Sequence, residues 1–261
     1  MVLFGAFLYW QDNAIVCSQW VYEKHVPKAF DGYKILHISD LQNKVFGKNQ
    51  KTLLYKAECS APDCIVITGD LIDRNRTDIP AAMDLIRGLV TIAPVYYVSG
   101  NHEHQSGEYD NLVELLTAEG VTVLDNGKSI IQRGEERLVI LGLADKSVNP
   151  YYNSVLRMLS KEHEQDFTLL LSHRPELFSD YVKQGISLVC SGHAHGGQIR
   201  LPWIGGLFAP HQGFFPQYTA GMYTEQDTAM VVSRGLGNST FPFRIGNRPE
   251  LVEITPYHKE S

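Results

Sequence analysis

The sequence contains no apolar run of the roughly 20 residues that a membrane-crossing helix requires, no Cys-x-x-Cys pair, no internal repeat and no Gly/Ser-rich linker. The first absence excludes a bilayer span as written, the second a zinc-ribbon or thioredoxin-type centre, and the others a repeat array or a string of tethered domains. Four cysteines, Cys17, Cys59, Cys64 and Cys190, are too few and too scattered for a disulfide framework, so buried free thiols are expected. Basic residues are in deficit as well: Lys and Arg number 23 against 29 Asp and Glu, a net charge of −6. A protein that tracks a long phosphate backbone by counterion release needs the opposite balance, so long nucleic acid is disfavoured as a partner. What is present is an ordinary globular composition, 44% hydrophobic and 20% charged over 261 residues, long enough to bury a core without staples. Ten histidines stand out against it.

Met1–Trp10 (MVLFGAFLYW) is apolar but has no basic flank. It reads either as a strand or tucked segment on the core, or as the remnant of a longer anchor with Tyr9 and Trp10 at the membrane interface. Residues 1–33 are therefore set apart, as an N-terminal segment (anchor remnant or extra strand), from a single domain over 34–261. Within that domain five short runs read as buried strands: Lys34–Ser39, Cys64–Thr68, Val95–Ser99, Phe167–Ser172 and Ser187–Ser191. Helical spacing lies between several of them. Asn49 is placed to cap a helix through Leu53, Leu54 and Ala57, Pro80 to start one carrying Met83, Leu85 and Ile86, and Tyr109–Glu119 spaces Leu112, Leu115 and Leu116. Strands alternating with helices predict α/β layering. Further runs at Val121–Leu124, Leu138–Leu143, Met230–Ser233 and Leu251–Thr255 predict a second sheet.

The residues just past the five strands carry the chemistry. The first strand runs into Asp40, the second into Gly69-Asp70, the third into Gly100-Asn101-His102, the fourth into His173 and the fifth into Gly192-His193-Ala194-His195. In open α/β sheets, ligands gather beyond the carboxyl ends of the strands. One Asp or His in such a place is most simply a polar residue stepping off a buried strand; five coincidences point to a metal site. The donors are carboxylate, imidazole and one amide, without thiolate, a set that suits catalytic Mn, Fe or Zn rather than a structural Cys-bound zinc. His193 and His195, at i and i+2, face the same way if their backbone is extended.

These residues resemble the calcineurin-like metallophosphoesterase superfamily, whose pattern runs Asp-x-His, Gly-Asp-x-x-Asp, Gly-Asn-His-Asp/Glu, a lone His and Gly-His-x-His. Here it reads Asp40-Leu41-Gln42, Gly69-Asp70-Leu71-Ile72-Asp73-Arg74, Gly100-Asn101-His102-Glu103, His173 and Gly192-His193-Ala194-His195. The likeness spans about residues 34–256, and Ser233–Gly237 with Asn247–Glu250 resembles a bacterial, often membrane-associated YkuE-like branch. The resemblance implies a metallo-dependent phosphatase fold, an α/β four-layer αββα sandwich of two mixed β-sheets, in a monomer that is membrane-associated or cytoplasmic in a bacterium. It also implies two divalent metal ions, Mn, Fe or Zn, and a bridging hydroxide that attacks phosphorus. Asp70 would bridge the metals, Asp40 and His195 would complete the first site, and Asn101, His173 and His193 the second. His102 would protonate or stabilise the leaving oxygen, and Asp73 would orient His102 by a hydrogen bond. Arg74 would grip the phosphate, as the arginine after this motif does in phosphoprotein phosphatases, although Asn75 replaces the glycine found next there.

Position 42 departs from the pattern, being Gln where the family has His. Strand alternation aims it to the same side as Asp40, so Gln42 is expected to be a weak ligand or a water anchor, and the first site to favour Mn or Fe over Zn or to be only partly filled. Asn43 should point the other way. Among the remaining polar residues, His37 reads as a core histidine, Glu103 as a support of the loop and His104 as a border of the cleft. His25, His163 and His258 read as surface residues. Leu201–Tyr223 carries Trp203, Ile204, Leu207, Phe208, His211, Phe214 and Phe215 among Gly and Pro, so it cannot be regular helix. The simpler expectation is that it packs over the second sheet. The alternative is a greasy wall of the cleft for a lipid-linked phosphoester, or a peripheral or anchored membrane contact. The leading functional expectation is a metal-dependent hydrolase of a small phosphomonoester or phosphodiester, lipid-linked in its sharper form. Its competitors are a nuclease or cyclic-nucleotide phosphodiesterase, and a non-catalytic metal- or phosphate-binding protein if Gln42 disables the first site.

Overall fold

The computed structural model describes residues 2–238 and 241–260, so Met1 of the N-terminal apolar run lies outside it. Runs of β-branched and aliphatic residues without polar alternation suit strands covered on both faces, and two six-stranded sheets are built from them. The first has the order β1 (Val16–Tyr22), β16 (Glu250–Pro256), β2 (Ile35–Ile38), β3 (Cys64–Thr68), β4 (Val95–Val98) and β5 (Thr122–Val123). The second has the order β14 (Gly221–Glu225), β15 (Thr228–Val232), β9 (Leu188–Ser191), β8 (Phe167–Leu171), β7 (Glu136–Gly142) and β6 (Gly127–Arg133). Both sheets are mixed: β2 to β5 run parallel with β16 antiparallel to β2, and β7, β8, β9 and β15 run parallel with β6 and β14 antiparallel at the edges. Two small hairpins, β10 (Arg200–Leu201) with β11 (Gly205–Gly206) and β12 (Phe208–Ala209) with β13 (Gly213–Phe214), come after β9.

Alternation along each strand divides the core into layers. Ile35, Val66, Val98, Ile140, Leu169 and Cys190 meet between the two sheets. Leu36, Ile38, Ile65 and Ile67 turn outward to α2 (Lys51–Cys59), α3 (Ile79–Leu89) and α5 (Tyr109–Ala118), which bring Leu53, Leu85, Ile86, Leu112 and Leu116. Val139, Leu141, Leu170 and Val189 turn outward to α6 (Tyr152–Glu162) and α7 (Phe178–Lys183), through Leu156, Leu159, Phe178 and Tyr181. The result is the expected αββα sandwich.

Five expectations are corrected. The five strands with polar ends do not share a sheet, since three belong to the first and two to the second. Val121–Leu124 and Leu251–Thr255 contribute to the first sheet, because pairing depends on neighbours in space that strand propensity does not encode. The N-terminal run is neither strand nor tucked segment but a helix, α1 (Val2–Asn13), with Leu3, Phe4, Tyr9 and Trp10 exposed; the strand in this region is β1, paired parallel with β16. Asn49 does not cap α2: Asn49 and Gln50 are both left-handed, and Gln50 spends its amide on Phe46 N–H and Lys44 O at 2.9 and 2.8 Å. All four cysteines are free, but only Cys64 and Cys190 are buried, whereas Cys17 and Cys59 are exposed.

Candidate metal centre

The ends of β2 and β3 stay paired past the strands. Asp40 N–H donates to Gly69 O at 3.0 Å, Gln42 N–H to Asp70 O at 2.9 Å and Asn43 N–H to Leu71 O at 3.2 Å, which sets Asp40, Gln42 and Asp70 abreast. Asp40, Gln42, Asp70, His193 and His195 all have left-handed backbones, with φ between 46° and 64°. Such conformations cost non-glycine residues about 1–3 kcal/mol each and persist where the surroundings over-determine them. This corrects the expectation of an extended backbone at 42 and at 193–195: a sharp turn at each residue, and not strand alternation, aims the side chains inward. Crowding at the strand ends also explains the glycines, since a Cβ on Gly100 would lie 2.8 Å from Asp70 N and one on Gly192 2.5 Å from Asp40 Oδ2.

The side chains converge as two triads that share one carboxylate. Asp70, His173 and His193 offer ligand atoms within 4.8 Å of one another, and so do Asp40, Asp70 and His195. His173 Nε2 lies 3.3 Å from Asp70 Oδ2, and His195 Nε2 lies 3.4 Å from Asp40 Oδ1. His173 donates Nδ1–H to Thr68 O at 2.7 Å, which leaves Nε2, toward Asp70, as the nitrogen that a metal ion would take in place of a proton. Gln42 Nε2 sits 3.2 Å from Asp70 Oδ2 and 3.3 Å from His195 Nε2, while its Oε1 is buried without a partner. Turned over, the amide would set its oxygen against the Asp70 carboxylate, an arrangement that a cation between them would reconcile. Asn101 Oδ1 and His195 Nδ1 are likewise buried and unpartnered. Unpaired amide oxygens in a buried pocket of carboxylates and imidazoles fit divalent metal ions.

The electrostatics carry the same sign of demand. Burial pushes the Asp70 carboxyl up, but the facing His173 imidazole overrides it and holds the group well below the ordinary carboxylate range. Burial pulls His173 down, yet the Asp70 charge lifts it to about 10. Burial lowers His195, and burial together with the charges of His173 and Arg174 drives His193 far down.

His102, on α4 (Asn101–Ser106), is oriented differently from the expectation. Its Nδ1 accepts the backbone N–H of Arg74 at 3.2 Å, whereas Asp73 Oδ1 accepts N–H groups of Asn75 and Arg76 at 2.8 and 3.0 Å. Asp73 therefore shapes the turn that presents Arg74 N–H, and the bond to His102 comes from backbone. The Arg74 side chain, expected to grip the phosphate, is exposed and its Nη1 donates to Gln105 Oε1 at 2.6 Å. His102 Nε2 faces the centre, 3.9 Å from Asp70 Oδ2. Asn43 points away as expected, its Oδ1 accepting from Asp73 and Asp78 N–H.

Glu103 does more than support its loop. Its two oxygens accept N–H from Asp70 at 3.0 Å, Leu71 at 2.6 Å and Gly100 at 2.8 Å, so one buried carboxylate ties two ligand loops together. Burial and the Asp70 charge push its carboxyl up to about 7. His37 is a core histidine, bonded through Nε2 to Thr68 Oγ1 at 2.8 Å and pulled by burial down to about 3. His104 is half-buried against Tyr109 and bonds Ser99 Oγ at 2.9 Å. His163 is not a surface residue: it is buried with Asp166 at 2.9 Å.

Three supports of the ligand loops had no role assigned from the sequence. Arg174, the residue after His173, is buried and ion-paired with Asp145, with Nη1 turned to His193 and His211. Its signal was a charge stepping off an apolar strand. Asn247 Nδ2 donates to His195 O at 2.8 Å, and Leu236 and Gly237 N–H close on Asp40 O at 3.2 and 2.6 Å, so the tail segments clasp the ligand loops.

The aromatic segment 201–223 packs over the second sheet only in part: Ala209 sits in the outer core of that sheet and Tyr218 and Tyr223 pack against it, while the larger apolar side chains before them do not. Trp203 is fully exposed and Phe214 and Phe215 are 78% and 70% exposed. Apolar side chains pack only where a second surface faces them, and these project from short hairpins. Phe208, Pro210 and Phe214, with Ile199 and Phe241, line an apolar cavity of about 570 Å³ that begins at Gly197, two residues beyond His195.

Residues 33–197 match the family model described as calcineurin-like phosphoesterase. The chain is 36% identical over 238 residues to the uncharacterized metallophosphoesterase YkuE of Bacillus subtilis (strain 168), covering 88% of this chain and 81% of YkuE. It is 28% identical over 196 residues to the phosphodiesterase YaeI of Escherichia coli (strain K12), covering 74% and 70%. Among solved structures, the sulfate thiohydrolase SoxB of Thermus thermophilus superposes with a TM-score of 0.55 at 13% identity, over 81% of this chain and 53% of that one, a likeness of fold alone.

Proposed function

Because the chain belongs to the calcineurin-like phosphoesterase family and is a metal-dependent hydrolase of phosphoric esters, we propose that it cleaves a phosphoester carried on an apolar, lipid-like group. Two divalent ions held by Asp40, Gln42, Asp70, Asn101, His173, His193 and His195 would supply a nucleophile from water at neutral pH and neutralise charge on the phosphoryl oxygens. Asp70 is the carboxylate common to both triads. His102, accepting Arg74 N–H at Nδ1, keeps its proton on Nε2. From there it donates a hydrogen bond to the leaving oxygen, which makes it a stabiliser of developing charge.

The observation that carries the substrate class is the apolar cavity of about 570 Å³ lined by Phe208, Pro210, Phe214 and Phe241, whose lining includes Gly197, two residues beyond His195, on a segment that also exposes Trp203 and Phe215. Exposed aromatics around a groove mark a surface meant to be covered, and a substrate with a phosphoryl head and an apolar tail meets both halves of the site. The test is a series of alkyl phosphoesters with one head group and tails from methyl to dodecyl, assayed with Mn²⁺-loaded enzyme. kcat/KM should climb with tail length by on the order of 10-fold or more, as burial of each methylene is worth up to about 0.8 kcal/mol, and Trp203→Ser with Phe214→Ser should flatten the climb. A flat series in the wild type would overturn the substrate class while leaving the hydrolase intact.

A further inference from the structure

We propose that His211, at the tip of the second hairpin, is a positioning residue that fixes the tautomer of His193 for a metal ion and so couples the aromatic hairpin to the centre. The proposal rests on the reading of this centre as a metal site. His193 uses both ring nitrogens: Nδ1 lies 3.0 Å from His173 Nε2, on the side of Asp70, and Nε2 lies 2.9 Å from His211 Nδ1. A neutral imidazole has one lone pair and one N–H. When Nδ1 gives its lone pair to a metal ion, the proton resides on Nε2 and needs an acceptor.

Arg174 cannot be that acceptor. Its Nη1 stands 2.9 Å from the same Nε2, but a guanidinium only donates. It is pinned there by Asp145, with Nε to Oδ2 at 2.6 Å and Nη2 to Oδ1 at 2.8 Å. The acceptor within reach is His211 Nδ1, whose one lone pair would be shared between His193 Nε2–H at 2.9 Å and Arg174 Nη1 at 2.7 Å. Without His211, a proton on His193 Nε2 would face a buried cation. The imidazole would then favour the opposite tautomer, accepting from Arg174 at Nε2 and carrying its proton on the nitrogen that has to bind metal. Glu176 completes a third group with His193 and His211. Arg174 Nη1 already lies 3.7 Å from Glu176 Oε1 and within hydrogen-bond distance of both histidines, so that group has its cation and serves as support for the second triad.

The test is calorimetric titration of the chelator-stripped full chain with Mn²⁺. The wild type should take two ions. His211→Ala should weaken one site by about 10–100-fold, the usual effect of removing an outer partner of a metal-binding imidazole, and leave the other near its wild-type affinity. His211→Asn, whose Oδ1 stands where Nδ1 stood, should recover most of the loss, which a merely structural role would not. Coupling is reciprocal, so Mn²⁺ should slow hydrogen exchange over residues 208–214 in the wild type and not in His211→Ala. Two ions bound by His211→Ala with wild-type affinity, or no recovery with Asn, would overturn the proposal. A wild-type chain that takes up no Mn²⁺ would overturn the metal-centre reading itself and this proposal with it.

Discussion

Replacing Gly192 by Ala tests how the centre is held in shape. Gly192 has no left-handed backbone to protect, so an alanine there brings only its methyl group. That methyl would lie 2.5 Å from Asp40 Oδ2 and inside contact distance of Ser39 Oγ. Ser39 cannot swing aside freely, because Oγ donates to Thr68 O at 3.2 Å and accepts from Thr68 Oγ1 at 2.9 Å. The Asp40 carboxylate is tied to the same turn, accepting His193 N–H, the peptide next to Gly192, at 3.1 and 3.2 Å. To restore ordinary contact the carboxylate must retreat by about 1 Å, and overfilling a packed interior costs about 1–3 kcal/mol. Tm should therefore fall by roughly 2–4 °C for each kcal/mol. A shift of about 1 Å in an active-site group commonly costs on the order of 100-fold in turnover, and the first site should lose Mn²⁺ affinity well before the second. Differential scanning calorimetry, Mn²⁺ titration and turnover of bis-p-nitrophenyl phosphate measure the three effects. Gly5→Ala is the control, since a Cβ there meets nothing within 4 Å and alanine in a helix is better than glycine by about 0.5–1 kcal/mol. A Gly192→Ala protein with both sites and its turnover intact would refute the claim that this close approach positions Asp40.

Gln42→His replaces an amide by imidazole at the first triad. It should shift that site toward Zn²⁺ relative to Mn²⁺, because imidazole is the softer donor; competition titrations of the two ions against both proteins read the shift, and identical selectivity would count against Gln42 as a ligand. In stripped protein the raised proton affinity of His173, lifted to about 10 by Asp70 against burial, has a definite sign. The stability it adds is full below the unfolded value of about 6.5 and is lost as pH rises toward 10. A metal ion must displace that proton, so Mn²⁺ affinity should climb over the same window with proton release on binding. An affinity flat from pH 6.5 to 9 would refute it.

Much of the site was legible because strands buried on both faces can only put polar chemistry at their ends, and Asp40, Asp70, Asn101, His173, His193 and His195 all stand there. The partition of those strands between two sheets was not legible, since Val66 and Leu169 have the same local preferences yet lie in opposite layers of one core. Asp73 misled because the bond that orients His102 comes from the backbone of Arg74, and a backbone N–H leaves no trace in residue identity. The aromatic hairpins misled for a different reason. Burial is the default for Trp and Phe, but it needs a facing surface, and none is offered to Trp203. His211 and Arg174 acquire their roles from contacts 18 and 19 residues away from His193 along the chain, a separation that periodicity does not span.

The placement of β16 between β1 and β2 sets a timetable for the molecule's birth. Residues 16–22 and 35–38 are made early and lie on either side of a slot that only residues 250–256 fill. At ~5–20 residues per second the ribosome takes on the order of 10–40 s to travel from one to the other. Through that interval the nascent first sheet has an open seam, and its neighbouring strand edges are available to wrong partners. A chaperone that shields β1 and β2 during synthesis, or a lower temperature of expression, should raise the yield of folded protein more than any change at the metal centre.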